Sequence, residues 1–217
     1  MRACLLLFPL FLMPVFALAA GPGCPARDEE GLWSADCFTL QAGVRQLKPQ
    51  YLRKLSFNKS GKAVIVLEAF PHEVVALDRR GRVVVPGIRH TGDFDYPSAP
   101  RGVARFDANG KCGYFQSSTF QVLVPAEYDQ CLSFHDGETA SACKDCESYC
   151  TEIDCQDSRL VGGRGFDFDA HGVLLRSYAL SELASACPHG IEKLLREGRR
   201  RYLKCKDDPN SPFKLLR

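Results

Sequence analysis

Residues 102–128 read GVARFDANGKCGYFQSSTFQVLVPAEY. An apolar strand, a turn, Gly113-Tyr114, a second turn and a strand ending at Val124-Pro125 follow one another, the grammar of β-hairpins built from β-branched and aromatic residues. The pattern continues upstream. Ala63–Leu67 (AVIVL) and Val74–Leu77 (VVAL) are apolar runs of strand length; the second leads through Asp78-Arg79-Arg80-Gly81 into Val83-Val84-Val85-Pro86. Proline cannot donate to a ladder, so both Val-Pro pairs are expected to end their strands.

Three anchors give the pattern a period. Phe57, Phe94 and Phe134 are separated by 37 and 40 residues, and the two Val-Pro pairs lie 39 apart. A third unit opens at Phe134-His135-Asp136-Gly137, is interrupted by a cysteine-rich stretch, and resumes at Gly163–Asp169 with a turn at Ala170-His171-Gly172. The expected fold is mainly β, an array of antiparallel hairpin repeats of about three units over residues 55–180. Phe94, Phe106, Tyr114, Tyr128, Phe134 and Phe166 occupy repeated strand positions, where aromatic side chains fill cores or pack across strands.

Both ends have a different character. Residues 1–19 carry Arg2, an apolar stretch from Cys4 to Phe16 and then Ala17-Leu18-Ala19, the layout of a cleavable signal peptide. The stretch is shorter than the roughly 20 residues that span a bilayer, and Pro9 and Pro14 interrupt it. Residues 20–54 read as a cysteine-containing lead-in with the only tryptophan, Trp33. In residues 181–217, Ile191, Leu194, Leu195, Tyr202 and Leu203 fall at helical spacing, and two short helices are expected to cap the array. Arg196, Arg199, Arg200 and Arg201 then form a solvated basic face, so membrane contact is at most peripheral.

Composition narrows the partners. Lys and Arg total 28 against 26 Asp and Glu, a net +2 that gives no support to nucleic acid as a partner. Charge is unevenly spread: seven acids and one lysine lie between Asp136 and Asp157, whereas nine Lys or Arg face four acids from Gly190 onward. The acids Asp145, Glu147, Glu152, Asp154 and Asp157 sit in the cysteine-rich insert, residues 136–160. Tied down by cysteines, they would form a preorganised anionic projection suited to a cationic pocket.

Eleven cysteines occur, and loss of Cys4 with the signal leaves ten, an even number in a chain bound for an oxidising space. Proximity suggests Cys24 with Cys37, Cys187 with Cys205, and Cys112 with Cys131 or a member of the central cluster. That cluster, Cys143-x2-Cys146-x3-Cys150-x4-Cys155, does not match a paired zinc-ribbon spacing, and local disulfides are expected over a metal. A redox role fits poorly, because Asp145 and Glu147 would raise a neighbouring thiol's pKa.

No catalytic constellation assembles. His72, His90, His135, His171 and His189 show no metalloprotease spacing, and no serine sits in a nucleophile elbow. Gly162, Gly163 and Gly165 lead into a strand, so they do not cradle phosphate at a helix start. Asp167 and Asp169 alternate with aromatics and are expected on a solvated strand face. The expectation is a non-enzymatic protein without metal or cofactor.

The motif Gly110-Lys111-Cys112-Gly113-Tyr114-Phe115, with Val122-Leu123-Val124-Pro125, Tyr128-Asp129, Phe134 and Gly137, resembles the WG repeat, a β-hairpin repeat of bacterial envelope proteins. The resemblance covers Leu55 to Arg176. Two positions depart: Cys112 replaces the family's tryptophan, and Phe120 stands at the usual second-turn glycine. The chain is also similar to immunity proteins paired with antibacterial type VI secretion effectors, several of them phospholipases. That likeness implies a periplasmic inhibitor with no chemistry of its own, whose partner is a secreted lipase of the phospholipase D class, with Glu147, Glu152 and Asp154 foremost among the binding acids. The alternatives are a generic envelope scaffold and a metal- or redox-active cysteine protein.

Overall fold

The computed structural model describes residue 24 and residues 31–68, 71–134, 138–155, 158–198 and 200–209. Asp136, Asp157, His135 and the expected signal segment lie outside the described residues.

A short hairpin, β1 (Phe38–Gln41) and β2 (Val44–Leu47), precedes a six-stranded antiparallel meander. The meander runs in chain order through β3 (Ala63–Leu67), β4 (Glu73–Leu77), β5 (Val83–Ile88), β6 (Val103–Ala108), β7 (Lys111–Gln116) and β8 (Gln121–Tyr128). In β3 the alternation is clean: Ala63, Ile65 and Leu67 are buried, while Val64 and Val66 are half-buried. β7 is covered on both faces. Cys112 and Tyr114 join one apolar cluster with Tyr128, Phe134 and Phe168, and Phe115 joins another with Phe106 and Phe120.

Past β9 (Gln130–Cys131) and β10 (Thr139–Lys144) the chain makes an excursion through β11 (Glu147–Cys150) and β12 (Ser158–Val161). It returns as β13 (Arg164–Asp169) and β14 (Leu174–Ala179), giving a four-stranded sheet of order β14-β13-β10-β9. The excursion forms another sheet with β15 (Ile191–Glu197) and β16 (Arg200–Cys205), of order β12-β11-β16-β15, with β11 and β16 parallel.

Two expectations are corrected here. Residues 191–205 are a β-hairpin, and the described part of the C-terminal segment has helical geometry only in one 3-10 turn, Leu183–Ser185. The helical reading failed because β15 is exposed on both faces after Ile191, so its leucines carry no alternation. Nor do the prolines end their strands. Pro86 and Pro125 lie inside β5 and β8, at register breaks where β4 and β7 are opposed by extra residues. Gly87, at φ +46°, has Asp107 O where a Cβ would stand, and Gly113 abuts the Val124 carbonyl, so each bulge presses on a glycine of its own or the facing strand.

Cys112 and Phe120 both have structural roles. Cys112 bonds Cys131, tying β7 of the meander to β9 of the next sheet. Tyr114 reinforces that junction: its hydroxyl lies 2.8 Å from Leu132 O and 3.0 Å from Ser141 O. Phe120 adopts φ +57° while its ring is buried and stacked on Phe115. A left-handed backbone costs a bulky residue roughly 1–2 kcal/mol, whereas deleting a buried phenyl ring costs about 3–5 kcal/mol, so burial wins. Phe120→Gly and Phe120→Ala should both destabilise the fold, with the glycine variant the more stable by about 1 kcal/mol. Urea unfolding of the two variants checks this; an alanine variant as stable as the glycine variant would contradict it.

The lead-in is part of this core. Cys24 bonds Cys37, and buried Trp33 donates its N–H to Val66 O of β3 at 2.9 Å and accepts from Glu68 N–H, just past β3, at 2.8 Å. Trp33 and Leu47 pack with Ile65, Val75 and Leu77. Five disulfides join all ten described cysteines, adding Cys143–Cys146, Cys150–Cys155 and Cys187–Cys205 to the two already named. Among the described residues no helix is long and apolar enough to cross a membrane.

Candidate functional site

The cysteine-rich stretch divides into a structural half and a projecting half. β10 is an interior strand, paired with β9 and β13, whereas residues 145–163 leave and rejoin that sheet, because Lys144 and Arg164 face each other across the gap. The Cys143–Cys146 disulfide closes the departing turn. Asp145 is held there at φ +57°, its N–H donating to Asp129 Oδ2 at 2.7 Å. The Lys111 ammonium, 2.5 Å from Asp129, keeps that carboxyl below the usual range.

Beyond β11 the chain turns over a loop of six residues, Cys150-Thr151-Glu152-Ile153-Asp154-Cys155, closed by a disulfide whose Cα atoms are 4.8 Å apart. Cys155 N–H donates to Glu152 O at 3.1 Å, and Tyr202 hydroxyl reaches Ile153 O at 3.5 Å from β16. The loop is thus fastened at its base and along one side. Ile153 crowns it, 91% exposed, with exposed Glu152 and Asp154 on either side.

The acids singled out from the sequence do not form one patch. Asp145 lies before β11 and Glu152 with Asp154 after it, at opposite ends of a strand about 10 Å long. Glu147 is engaged within its own sheet: Arg201 Nη1 stands 2.6 Å from Oε1, and Tyr149 hydroxyl donates to Oε2 at 2.7 Å. Asp157 lies outside the described residues. Glu152 and Asp154 are exposed and flank Ile153 in the Cys150–Cys155 loop.

Ile153 escaped the sequence reading, which weighed only charge. A signal was present: it is the one apolar residue between Cys150 and Cys155, in a loop too tight to fold it back into a core. Next to the loop, Gln130, Ser148, Cys150, Arg200 and Arg201 line a cleft of about 260 Å³. Another cleft, about 400 Å³, includes His72, Glu73, Arg89, His90 and Asp107. Its charged side chains are engaged with partners: Arg45 grips Glu73 at 2.5 and 2.7 Å, and Arg89 grips Asp107 at 2.8 Å through both nitrogens.

Asp167 departs from its expected place on a solvated face. β13 runs between β10 and β14, which sets Ser141 and Arg176 directly across from it. The buried carboxylate accepts from Ser141 Oγ at 2.7 Å, Arg176 Nε at 2.5 Å and Tyr178 hydroxyl at 3.0 Å. Burial alone would raise its pKa, but the three donors outweigh burial and lower it. A carboxyl with a lowered folded pKa contributes stability that is present above about pH 4 and is lost as pH falls through the folded value. Asp167→Asn should therefore cost about 1–3 kcal/mol at pH 7 and flatten the loss of stability below pH 4. Urea midpoints between pH 7 and pH 2.5 check this; an unchanged acid limb would contradict it. Asp169, by contrast, is a turn acceptor, bonded by the N–H groups of His171 at 2.9 Å and Val173 at 2.8 Å.

The expected aromatics divide similarly. Phe106, Tyr114, Tyr128 and Phe134 are buried, and Phe166 packs on Tyr128, but Phe94 is 41% exposed. Sulfurs of the four clustered cysteines are bonded in pairs, Cys143 with Cys146 and Cys150 with Cys155, as local disulfides. Among the described residues no group of three or more His, Cys, Asp or Glu could hold a metal ion. No protein-family model, curated protein or solved structure shows a significant match to the chain.

Proposed function

We propose that this chain is a non-enzymatic periplasmic binding protein, an immunity-type inhibitor that inserts its Cys150–Cys155 tip into the mouth of a secreted antibacterial phospholipase. The observation that carries the reading is Ile153, an isoleucine 91% exposed at the crown of a disulfide-closed loop and flanked by two acids. Leaving such a side chain in water forgoes roughly 1.5–3 kcal/mol that burial would return, and a preorganised loop loses little entropy on docking. A phospholipase pocket that binds phosphodiester headgroups is concave and cationic. An apolar anchor between Glu152 and Asp154 is its electrostatic complement.

In this reading the β-sheets are a scaffold of WG-like hairpins, and the five disulfides suit an oxidising, exported environment. The Glu73 and Asp107 carboxylates of the His72–His90 cleft are engaged in ion pairs with Arg45 and Arg89.

The reading expects a secreted phospholipase encoded beside this chain, and survival of cells exporting that enzyme tests it. Co-export of this chain should restore growth, and co-export of Ile153→Asp should not. Absence of such a neighbour, or no protection by the unaltered chain, would overturn the inhibitor role.

A further inference from the structure

Three polar side chains that line the cleft beside the Cys150–Cys155 loop have no partner among the described residues. Gln130, Ser148 and Arg200 line it with Cys150 and Arg201, and the Gln130 amide, the Ser148 hydroxyl and the Arg200 guanidinium make no side-chain hydrogen bond or ion pair. Charges around them are engaged: Arg201 pairs with Glu147 at 2.6 Å, and Asp129, next to Gln130, pairs with Lys111 at 2.5 Å. Glu197 is opposite Arg200 in the hairpin but forms no ion pair with it.

The fold brings the three donors together from three strands. Cys150 of β11 stands opposite Tyr202 of β16 in a parallel pair, so two residues back along both strands Ser148 is level with Arg200 on the same face. Gln130 comes from β9, in the other four-stranded sheet. The cleft therefore lies where two sheets meet, a common setting for small-ligand sites. Gln130 and Ser148 are half-buried and Arg200 is exposed, so the donors remain open to a solute.

Their chemistry selects the ligand. One guanidinium, one hydroxyl and one amide form a donor set with a net positive charge, which calls for an anion. Approach from three strands suits a tetrahedral anion, whose oxygens point in several directions, over a planar carboxylate with two. The volume, about 260 Å³, is below the roughly 300–1,000 Å³ of pockets for drug-sized ligands and suits a small group. We infer that this cleft binds phosphate, with Arg200 as the charge partner and Ser148 and Gln130 as neutral donors to its oxygens. A soluble phosphate monoester and the headgroup of phosphatidic acid both present that group. The inference is independent of the inhibitor role.

Heteronuclear NMR titration of the oxidised protein with inorganic phosphate, at constant ionic strength, tests it. Amide signals of Gln130, Ser148 and Arg200 should shift together along one saturable curve, and acetate should bind more weakly. Arg200→Gln should weaken phosphate binding at least about tenfold, and Ser148→Ala about fivefold. Lys193→Gln removes an exposed cation of the same hairpin that does not line the cleft, and should leave binding unchanged. Flotation with phosphatidylcholine vesicles containing phosphatidic acid identifies the carrier. Co-flotation abolished by Arg200→Gln assigns the lipid headgroup, whereas phosphate binding without co-flotation assigns a soluble monoester. Neither a saturable shift nor co-flotation, binding unaffected by Arg200→Gln or Ser148→Ala, equal binding of acetate, or an equal loss in Lys193→Gln would each overturn the inference. Arg200 is exposed and the Ser148 hydroxyl has no partner to lose, so both variants should fold, and circular dichroism verifies it.

Discussion

Arg105→Leu should lower the free energy of unfolding by about 3–5 kcal/mol, the usual cost of leaving a buried charge without its partner. Asp95 is fully buried and receives Arg105 Nε at 2.9 Å, Arg105 Nη2 at 2.5 Å and Thr91 Oγ1 at 2.5 Å. Arg105 also donates to Cys131 O at 3.0 Å, so one side chain joins β6, the loop before it and β9. Sheet packing, not charge in isolation, gives the pair its weight: removal of the guanidinium strands a carboxylate where water cannot reach. Adding Asp95→Leu to Arg105→Leu should recover part of the loss, because no unpaired charge then remains. Urea denaturation of both single variants and the double variant checks this. A double variant whose loss equals the sum of the singles would show that the two groups do not act as a pair.

Ile153→Asp should weaken binding to the cognate phospholipase about a hundredfold or more while moving stability by less than about 0.5 kcal/mol. The two halves of that prediction share one cause. A side chain 91% exposed contributes almost nothing to the folded chain, yet in the proposed reading it is the anchor that a partner buries. Glu152→Lys should weaken binding less, about tenfold, since a rim charge acts through steering and complementarity more than through burial. Glu147→Gln should act differently again. It disturbs the Arg201 pair at 2.6 Å and therefore the β11–β16 contact, so its effect is expected in stability before binding.

Much of this was legible in the residues, for identifiable reasons. Strands that bury one face declare themselves by alternation, as Ala63, Ile65 and Leu67 do. Cysteine pairs close in sequence could be matched by proximity, and Cys24–Cys37 and Cys187–Cys205 are joined. Where burial gives no contrast, periodicity misleads. β15, exposed throughout after Ile191, carries its leucines at positions that suit a helix equally well. Pro86 and Pro125 show the same limit in another form, since a bulge lets a strand continue past a residue that cannot donate. Asp167 was read as solvated because an isolated strand cannot reveal that Ser141 and Arg176 will flank it. Within the acidic cluster, charge points to five residues, whereas the most exposed side chain of the Cys150–Cys155 loop, Ile153, carries no charge at all.

For the proposed inhibitor role, the most direct measurement is the phospholipid hydrolysis rate of a secreted lipase whose gene is found next to that of this chain, titrated with the oxidised protein and, in parallel, with Ile153→Asp. The expected result is a linear fall to zero activity at one protein per enzyme, with the variant requiring about a hundredfold excess. Full lipase activity at a large excess of the unaltered protein would contradict the inhibitor role, and equal inhibition by Ile153→Asp would contradict the tip as its binding element.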